Sequence, residues 1–380
     1  MNKVIISVVA SFALSATLYA TETPASNTSR TDLLNVHNRC IVSLKESIDV
    51  SEVRGIAKAM AVKGNADIQY IYENSIRGFT INIPCHAASI AFGDNADIDS
   101  MTPDSIITIN KGKPVRQVTP PPAQTVPYGT SRVGGGAEDG TGHTAWVIDT
   151  GIDLTHPDLN VDASRGFSVF KRGKRVIMND ENGHGTHVAG TIGAIDNAQG
   201  SLGVAPNTTM VPVRVLDRQG SGTTSGVIAG IDFVAANANA GDCVNMSLGG
   251  GVSSVLDAAV YNASENSRAY FVLAAGNEGD DANNHSPSRV NGEYIWTISA
   301  VDNNDVMPSW SNVGNPPVDY AAPGVGIFSL WLDGGTRTIS GTSMASPHAC
   351  AVIMMTNGSP SSDGEASGDR DGNPDSIIHF

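Results

Sequence analysis

The stretch TAWVIDTGID (144–153) decides the fold class. Its first seven residues form a nearly continuous apolar run that stops at a glycine, which is typical of a β-strand buried on both faces. Similar runs recur at 210–216, 243–248, 270–275 and 294–300. Helical patterns occur among these runs, at 184–194, 224–239 and 254–266. This alternation predicts an α/β fold with a doubly wound, mostly parallel sheet and helices on both faces.

A smaller unit precedes this alternation, at residues 38–110. Its order is strand, helix, two strands, short helix and strand, which predicts a small α+β, ferredoxin-like domain. The expected strands and helices lie at 40–46, 51–63, 67–73, 77–84, 86–91 and 105–110. Residues 111–124 (KGKPVRQVTPPPAQ) hold four prolines without periodicity, so we expect an exposed linker there.

The two ends of the sequence are expected to lie outside these domains. Residues 1–20 combine Lys3, an apolar run from Val4 and a small residue at Ala20, which is the format of a secretory signal peptide. A transmembrane anchor is the alternative, but the run is short and lacks a basic flank, so we expect no membrane span. Residues 357–380 are polar and rich in Gly, Ser and Asp, and we expect a loose tail.

Composition argues against several classes of function. The chain has 380 residues with 23 Lys and Arg against 38 Asp and Glu, a formal charge of −15. Nucleic-acid binders and partners of anionic membranes need basic surface, so we expect neither. Residues 1–122 hold 11 charges of each sign, so the whole excess lies in 123–380. An acidic surface that keeps the protein soluble and a set of oxygen ligands for a hard cation both remain open.

The cysteines give little guidance. Four of them in so long a chain do not make a disulfide scaffold, and the absence of a CxxC pair argues against a zinc site. Cys243 and Cys350 lie in apolar runs, and we expect them to be buried free thiols.

Three motifs place catalytic residue types at one edge of the predicted sheet. Asp149 ends the strand at 144–150, His184 lies in the first turn of a helix, and Ser343 begins a later helix. Ligands of open α/β sheets bind beyond the carboxyl ends of the strands. A serine hydroxyl becomes nucleophilic only when a neutral imidazole takes its proton, and a buried carboxylate fixes the imidazole tautomer. The three residues therefore predict nucleophilic hydrolysis.

Each of these residues alone has an ordinary structural explanation as a turn former, a surface histidine or a helix cap. Their joint occurrence beside glycines, which let a substrate backbone approach closely, favours catalysis. Asn277 follows a buried strand in AAGNEG (274–279). Its amide can donate to a developing oxyanion, with the backbone N–H of Ser343 as the second donor.

The motifs resemble those of the subtilisin-like serine proteases over residues 123–355. The matching stretches are VIDTGID with HPDL, NGHGTHVAGT, NMSLGG, AAGNEG and GTSMASPH, in the family's order Asp, His, Ser. The resemblance implies that Asp149 orients the imidazole, His184 is base and then acid, Ser343 is the nucleophile and Asn277 completes the oxyanion hole. It also implies a secreted, monomeric endopeptidase acting on proteins and peptides.

The resemblance also implies where a peptide binds. The segments that match the family's two substrate-binding strands are Gly220, Ser221, Gly222 and Ser247, Leu248, Gly249. A peptide held between them by main-chain hydrogen bonds would be recognised with broad specificity. Ser247, Leu248 and Gly249 with Ala274, Ala275 and Gly276 are expected to form small, apolar walls around the residue before the scissile bond. Large hydrophobic residues are therefore expected before the scissile bond. Three carboxylates at the rim, Glu278, Asp280 and Asp281, could add a secondary tolerance for Lys or Arg, or could serve only to keep the surface soluble.

The N-terminal unit is similar to the family's inhibitory, folding-assisting propeptide. We therefore expect a propeptide at 21–122, with an inhibitor-like part at 38–110 and a linker at 111–122, then a catalytic domain at 123–356. Residues 123–129 (AQTVPYG) resemble a mature N-terminus, so cleavage is expected before Ala123 or elsewhere in 111–125.

A structural calcium ion is implied by the same resemblance. Its expected ligands are oxygen atoms, as a hard cation requires, and they come from Gln124, Asp158, Ile195, Asn197, Gln199 and Ser201. The alternative is that Asp158 only caps a turn.

Two other functions compete with a protease. An esterase of the α/β-hydrolase type needs GxSxG and the order Ser, Asp, His, whereas Ser343 lies in GTSMA and comes last. A non-catalytic binding protein on a protease scaffold is the second alternative. Because all four catalytic positions hold the expected residue types, we favour a serine endopeptidase made as a self-processed precursor.

Overall fold

The computed structural model describes residues 35–109, 115–118, 123–173 and 175–380. The leader expected at 1–20 and most of the linker expected at 111–122 lie outside these residues. Within them the α-helices are α1 (Val50–Gly64), α2 (Cys85–Phe92), α3 (Tyr128–Arg132), α4 (His184–Gly193), α5 (Thr224–Asn237), α6 (Ser254–Ser267) and α7 (Thr342–Met355). None of the described helices has both the length and the apolar character to cross a bilayer.

The strands of the N-terminal part are β1 (Cys40–Leu44), β2 (Ile68–Tyr72), β3 (Gly78–Ile81), β4 (Ile98–Pro103), β5 (Ile106–Thr108) and β6 (Val115–Val118). Those that follow are β7 (Thr144–Asp149), β8 (Asn160–Val161), β9 (Phe167–Ser168), β10 (Lys171–Arg172), β11 (Arg175–Val176), β12 (Thr209–Arg214), β13 (Ser221–Thr223), β14 (Cys243–Met246), β15 (Gly250–Gly251), β16 (Tyr270–Ala274), β17 (His285–Ser286), β18 (Ile295–Val301), β19 (Val318–Pro323), β20 (Ile327–Leu330), β21 (Thr336–Ile339), β22 (Ser361–Glu365) and β23 (Ser376–His379).

The main sheet confirms the predicted doubly wound α/β fold. Its strand order is β22-β23-β19-β18-β16-β14-β7-β12-β8, with β9 also paired to β12. Neighbouring strands are parallel throughout, except for the antiparallel pair of β22 and β23. Strand β7 lies between β12 and β14, so the chain builds the sheet outward from β7 in both directions. Where strands are added on opposite sides of one strand, the connections leave in opposite directions and open a crevice beyond the carboxyl ends of the strands. Asp149, the last residue of β7, lies at this crevice.

Alternate residues of β7 belong to the two cores that cover the sheet. Trp146 and Ile148 pack in the core with residues of α5 and α6, whereas Ala145 and Val147 pack in the core with residues of α4 and α7. All four side chains are fully buried. A strand apolar on both faces is what the continuous run in the sequence predicts.

The N-terminal domain has the predicted βαββαβ order but a different last strand. Its antiparallel sheet has the order β2-β3-β1-β4, so the fourth strand is Ile98–Pro103 and not residues 105–110. The segment IDSMTP is polar and gives a weak strand pattern, whereas Ile107 and Ile109 give a strong one. Those two isoleucines are buried in the core shared with α5 and α6, and β5 leaves the small sheet to pair with β13.

The prediction of a loose tail at 357–380 is wrong. Strand β23 pairs with β19 at the edge of the main sheet, and β22 pairs with β23. Ile377 and Ile378 are fully buried, and this apolar pair anchors a segment whose other residues are mostly polar. Because most residues at 357–380 are polar, the composition of the segment did not reveal this buried pair.

The prediction of free thiols at Cys243 and Cys350 is also wrong. These two residues form a disulfide between β14 and α7, and Cys40 and Cys85 form a second one between β1 and α2. Cys243 and Cys350 are buried, as expected, but they are 107 residues apart in sequence. Only the packing of α7 against the sheet brings them together.

Candidate active site

Asp149 and His184 form a buried pair at the carboxyl end of β7. The Nδ1 atom of His184 lies 2.9 Å from both carboxylate oxygens of Asp149. Asp149 is fully buried and His184 is 4% exposed. This contact holds the proton on Nδ1 and directs the Nε2 lone pair away from the carboxylate, as general base catalysis requires.

Asp180 fixes the helix that carries His184, and sequence reasoning missed it. One carboxylate oxygen accepts hydrogen bonds from the hydroxyl of Thr150 and from the backbone N–H groups of Asn182 and Gly183. The other accepts from the N–H and the hydroxyl of Thr186. Asp180 therefore caps the start of α4 and ties it to the residue that follows Asp149. An aspartate just before an NGHGTH motif is the sequence signal that could have revealed this role.

Gly183, immediately before His184, cannot be replaced without moving the site. Its φ is 104°, a conformation that side chains with a Cβ rarely adopt. A Cβ atom there would lie 2.2 Å from the ring of Trp331. The glycine predicted to allow a close approach thus accommodates the indole of Trp331 beside the histidine.

Ser343 lies in the first turn of α7, at the carboxyl edge of the same sheet. Its hydroxyl donates to the carbonyl of Ser247 at 3.3 Å. The Nε2 atom of His184 is buried and has no hydrogen-bond partner among the described residues. Hydrogen bonds between a nucleophile and its base are often loose in the absence of substrate and tighten in the complex.

Asn277 is positioned by the residue that precedes Ser343. Its side-chain oxygen accepts from the backbone N–H of Thr342 at 2.8 Å and from the Thr342 hydroxyl at 3.0 Å. Because the side-chain oxygen accepts from Thr342, the orientation of the amide is fixed. The arrangement joins the predicted oxyanion donor to the helix that supplies the second donor, the N–H of Ser343.

Strand β5 of the N-terminal domain lies between the two predicted substrate segments. On one side Ile106, Ile107 and Thr108 pair antiparallel with Thr223, Gly222 and Ser221. On the other side Thr108 exchanges two main-chain hydrogen bonds with Gly249, both 3.1 Å long. Gly220 accepts from the backbone N–H of Ile109 at 2.9 Å. The segments therefore hold an extended peptide as a strand added between them.

A pocket opens beside Ser343, and its walls include most of the residues expected there. The lining consists of Leu248, Gly249, Gly250, Ala274, Ala275, Gly276, Glu278, His285, Ser288 and Ser343. The expectation of uncharged walls is wrong, because Glu278 and His285 belong to the lining rather than to the rim alone. His285 and Ser288 were missed because they lie beyond the end of the AAGNEG motif at 274–279, in a segment without a recognisable pattern.

The six residues expected to bind calcium lie in one region. Asp158 accepts hydrogen bonds from the Asn197 side chain at 2.5 Å and from the backbone N–H of Ser201 at 3.1 Å. The side-chain amide of Gln124 donates to the carbonyl of Ile195 at 3.2 Å, and the Asn197 side-chain oxygen accepts from the N–H of Gln199. Asp158 is the one carboxylate of the set. Rotating the two amide groups would turn their oxygens toward a cation, so the donor set fits a hard ion.

Two further histidines lie in the core around the site and stay neutral. Burial lowers the pKa of His187 to about 3, and its Nε2 atom contacts the carbonyls of Ile327 and Arg337 at 3.1 and 3.2 Å. Burial likewise lowers the pKa of His348 to about 4. Neither residue is suited to exchange protons near neutral pH.

Comparison with known proteins gives consistent matches. A family model described as the subtilase family matches residues 140–360. The chain is 50% identical over 218 residues to alkaline serine exoprotease A of Vibrio alginolyticus, covering 57% of this chain and 39% of that protein. It is 34% identical over 340 residues to proteinase R of Parengyodontium album, covering 85% of this chain and 80% of that protein.

A solved structure is similar to the same part of the chain. The crystal structure of a cold adapted subtilisin-like serine proteinase matches with a TM-score of 0.59 and 39% identity, over 66% of this chain and 97% of that one. The family model and proteinase R each cover more than half of this chain. The chain therefore belongs to the subtilase family of serine proteases.

Proposed function

We propose that this chain is a secreted serine endopeptidase of broad specificity that works through Asp149, His184 and Ser343. The observation that carries the proposal is the buried Asp149–His184 pair, with a buried Nε2 atom on the far side of the ring and Ser343 at the same edge of the sheet. This is the arrangement that turns a serine hydroxyl into a nucleophile.

In the acylation step each group has a defined role. The Oγ atom of Ser343 adds to the carbonyl carbon of the scissile bond while its proton passes to Nε2 of His184. The carbonyl oxygen becomes an oxyanion, stabilised by the side-chain amide of Asn277 and the N–H of Ser343. His184 then gives the proton to the leaving amine as the C–N bond breaks, and Asp149 stabilises the imidazolium in between. An ester on Ser343 remains.

Deacylation repeats the sequence with water in place of the serine hydroxyl. His184 takes a proton from the water as its oxygen adds to the ester carbonyl, and returns it to Oγ of Ser343 as the ester bond breaks. The carboxylic acid product leaves and the enzyme is restored. One set of residues thus supplies base, acid, nucleophile and oxyanion donors.

The N-terminal domain acts in this proposal as the inhibitor of its own chain. Support comes from β5, which fills the position of a substrate strand between β13 and Gly249. Since β5 leads directly from Ile109 into the segment at 110–114, we expect the self-processing cut in that segment rather than before Ala123. A strand that stays in place after such a cut blocks the cleft as a bound product does.

Two carboxylates fasten this domain to α5. Asp104 accepts from the backbone N–H and the hydroxyl of Ser225, in the first turn of α5. Asp232, on the same helix, accepts from the backbone N–H groups at 73–75 at 2.7–3.0 Å. Hydrogen bonds to a charged acceptor contribute about 1.5–3 kcal/mol each, so these contacts favour the docked position of the domain after the chain is cut.

Secretion is supported by the leader format at 1–20 and by the two disulfides, because disulfides persist mainly in oxidising compartments. A calcium ion bound by Asp158 and the oxygens around it would stabilise the connection between residue 124 and the loop at 195–201. It would have no part in the chemical step.

The decisive experiment compares the wild type with Ser343→Ala and with the exposed-serine control Ser254→Ala. Phenylmethylsulfonyl fluoride should modify Ser343, detected by mass spectrometry, and abolish casein hydrolysis. Ser343→Ala should lose about 10⁶-fold in rate and remain an uncut precursor, while Ser254→Ala should behave as wild type. Self-cleavage of purified Ser343→Ala would contradict the proposal. A wild type without hydrolytic activity would also contradict it, because that is the outcome expected of a non-catalytic binding protein.

A further inference from the structure

We propose that His285 is a specificity-determining residue, whose protonation sets the preference of the enzyme for Lys or Arg before the scissile bond. The proposal rests on the proposed function, since it concerns the pocket beside Ser343. His285 and Glu278 both line this pocket. The Nε2 atom of His285 lies between two carboxylates, 3.4 Å from Oδ2 of Asp280 and 3.9 Å from Oε2 of Glu278.

The Glu278 carboxylate is held in place by a buried amide. The side-chain nitrogen of Asn312 donates to Oε2 of Glu278 at 2.8 Å and to the carbonyl of Ala275 at 3.0 Å. The Asn312 oxygen accepts from the backbone N–H groups of Glu278 and Asp280. Asn312 is fully buried, so all of its hydrogen-bonding capacity goes to the loop that forms the pocket wall. The negative charge of Glu278 therefore has a fixed position in the lining.

Gly276 keeps this wall in place. Its φ is 111°, and a Cβ atom there would lie 2.2 Å from the Asn312 nitrogen and 2.6 Å from Oε2 of Glu278. The absence of a side chain at Gly276 is what allows the amide and the carboxylate to reach the pocket wall.

The other charged groups around His285 do not compete for its ring. The carboxylate of Asp281 accepts from Asn283, and Arg289 on the following turn contacts Asp257 of α6 at 3.7 Å. The strand opposite His285 is β15, where Gly251 is its partner and carries no side chain. Among the described residues, Glu278 and Asp280 are the titratable groups that face the imidazole within 4 Å.

The charge beside the pocket follows from these contacts. With a neutral imidazole the group of Glu278, Asp280 and His285 carries two negative charges, and with a protonated imidazole it carries one. A Lys side chain keeps its ammonium charge throughout the relevant pH range, whereas a Met side chain of similar length has none. Raising the pH across the range in which histidine side chains lose their proton should therefore favour Lys over Met at this position.

The effect is expected to be modest because the carboxylates are partly exposed: the side chain of Glu278 is 39% exposed and that of Asp280 51%. Attractions between such groups are worth about 0.2–1 kcal/mol, which corresponds to a change of about 1.4- to 5-fold. High salt should reduce the change, since exposed charges are screened.

The test measures kcat/KM for two peptides that differ only in Lys or Met before the scissile bond. In the ratio of the two values, any pH effect on the chemical steps that the two peptides share cancels. For the wild type the Lys/Met ratio should rise about 1.4- to 5-fold between about pH 5.5 and about pH 8.5, and less in high salt. His285→Gln should give a ratio that is high and independent of pH. His143→Gln, outside the pocket, is the matched control and should follow the wild type.

A second variant covers the case in which His285→Gln fails to fold. Asp280→Asn removes one of the two carboxylates at an exposed position and should lower the Lys/Met ratio at both pH values. An unchanged pH dependence of the ratio in His285→Gln, or a flat ratio in the wild type, would overturn the role of His285 and leave the protease intact. A wild type that hydrolyses neither peptide would overturn the proposed function itself.

Discussion

Ser247 contacts Ser343 twice, in opposite directions. The Ser247 hydroxyl donates to the backbone carbonyl of Ser343 at 2.9 Å, and the Ser247 carbonyl accepts from the Ser343 hydroxyl at 3.3 Å. In an uninterrupted helix the carbonyl of Ser343 would be bonded by the N–H of residue 347, but Pro347 has none. Ser247 replaces the missing donor, which couples the substrate-binding segment to the nucleophile.

Ser247→Ala should therefore impair both stability and activity. It leaves a buried carbonyl at Ser343 without its donor and removes the acceptor of the Asn245 side chain, which lies 2.8 Å away. A buried unsatisfied polar group costs about 1–3 kcal/mol. Thermal unfolding of Ser343→Ala with and without the second change measures the cost without autolysis. A melting temperature equal to that of Ser343→Ala alone would contradict this view.

Asp180→Asn should lower kcat without removing any catalytic group. An amide can accept on one atom only, so either Thr186 or the turn at 182–183 loses its acceptor. The start of α4 then shifts, and with it His184. The loss in kcat should exceed the change in KM, because peptide binding depends on other segments. Asp162→Asn, which alters a partly exposed cap, should change neither value appreciably.

His187 should make the protein less stable in acid. Burial lowers its pKa to about 3 in the folded state, whereas the ordinary value of 6.5 applies in the unfolded chain. A lowered pKa contributes stability that is fully present above pH 6.5 and is lost as the pH falls towards 3. At about pH 4 the loss is about 3 kcal/mol. Chemical unfolding of Ser343→Ala, with and without His187→Gln, should show a shallower decline between about pH 6.5 and 4 in the double variant; parallel declines would contradict the prediction.

Calcium should stabilise the folded protein if the set around Asp158 binds it. A ligand at 100 times its dissociation constant adds about 2.7 kcal/mol. Excess chelator should therefore lower the melting temperature and speed autolysis. Asp158→Asn should remove the difference between calcium and chelator, while the exposed-residue control Asp139→Asn should keep it. Identical melting curves of the wild type in calcium and in chelator would exclude the site.

The disulfide of Cys243 and Cys350 should be a major stabilising element. It closes a segment with a sequence separation of 107, and restricting so long a loop in the unfolded chain is worth about 2–5 kcal/mol. Replacing both cysteines with alanine should lower the free energy of unfolding by an amount in this range. Because the bond links β14 to α7 away from Ser343, the double variant should keep its specificity at low temperature. Equal stability of the two proteins would show that packing alone holds α7.

Sequence patterns predicted the parts of this protein where local signals are strong. Continuous apolar runs identified the strands around Asp149, and glycine-rich motifs marked His184 and Ser343. The last strand of the N-terminal domain was misplaced because the better apolar pattern of Ile107 and Ile109 serves the cleft instead of the small sheet. The disulfide and the place of His285 in the pocket could not be inferred, since each depends on contacts that only the folded chain creates, whereas the position of Asp180 just before NGHGTH was a usable signal.

If β5 blocks the cleft as proposed, its position makes the onset of activity a matter of concentration. While Ile106–Thr108 and the cleft belong to one chain, the connecting segment gives the strand an effective concentration of about a millimolar at the cleft. This value does not depend on how much protein is present. The proposed cut in the segment at 110–114 would turn the contact into an encounter between two molecules, and its occupancy would then fall on dilution. A molecule released into a large volume would open its own cleft, whereas the same molecule kept crowded would remain closed.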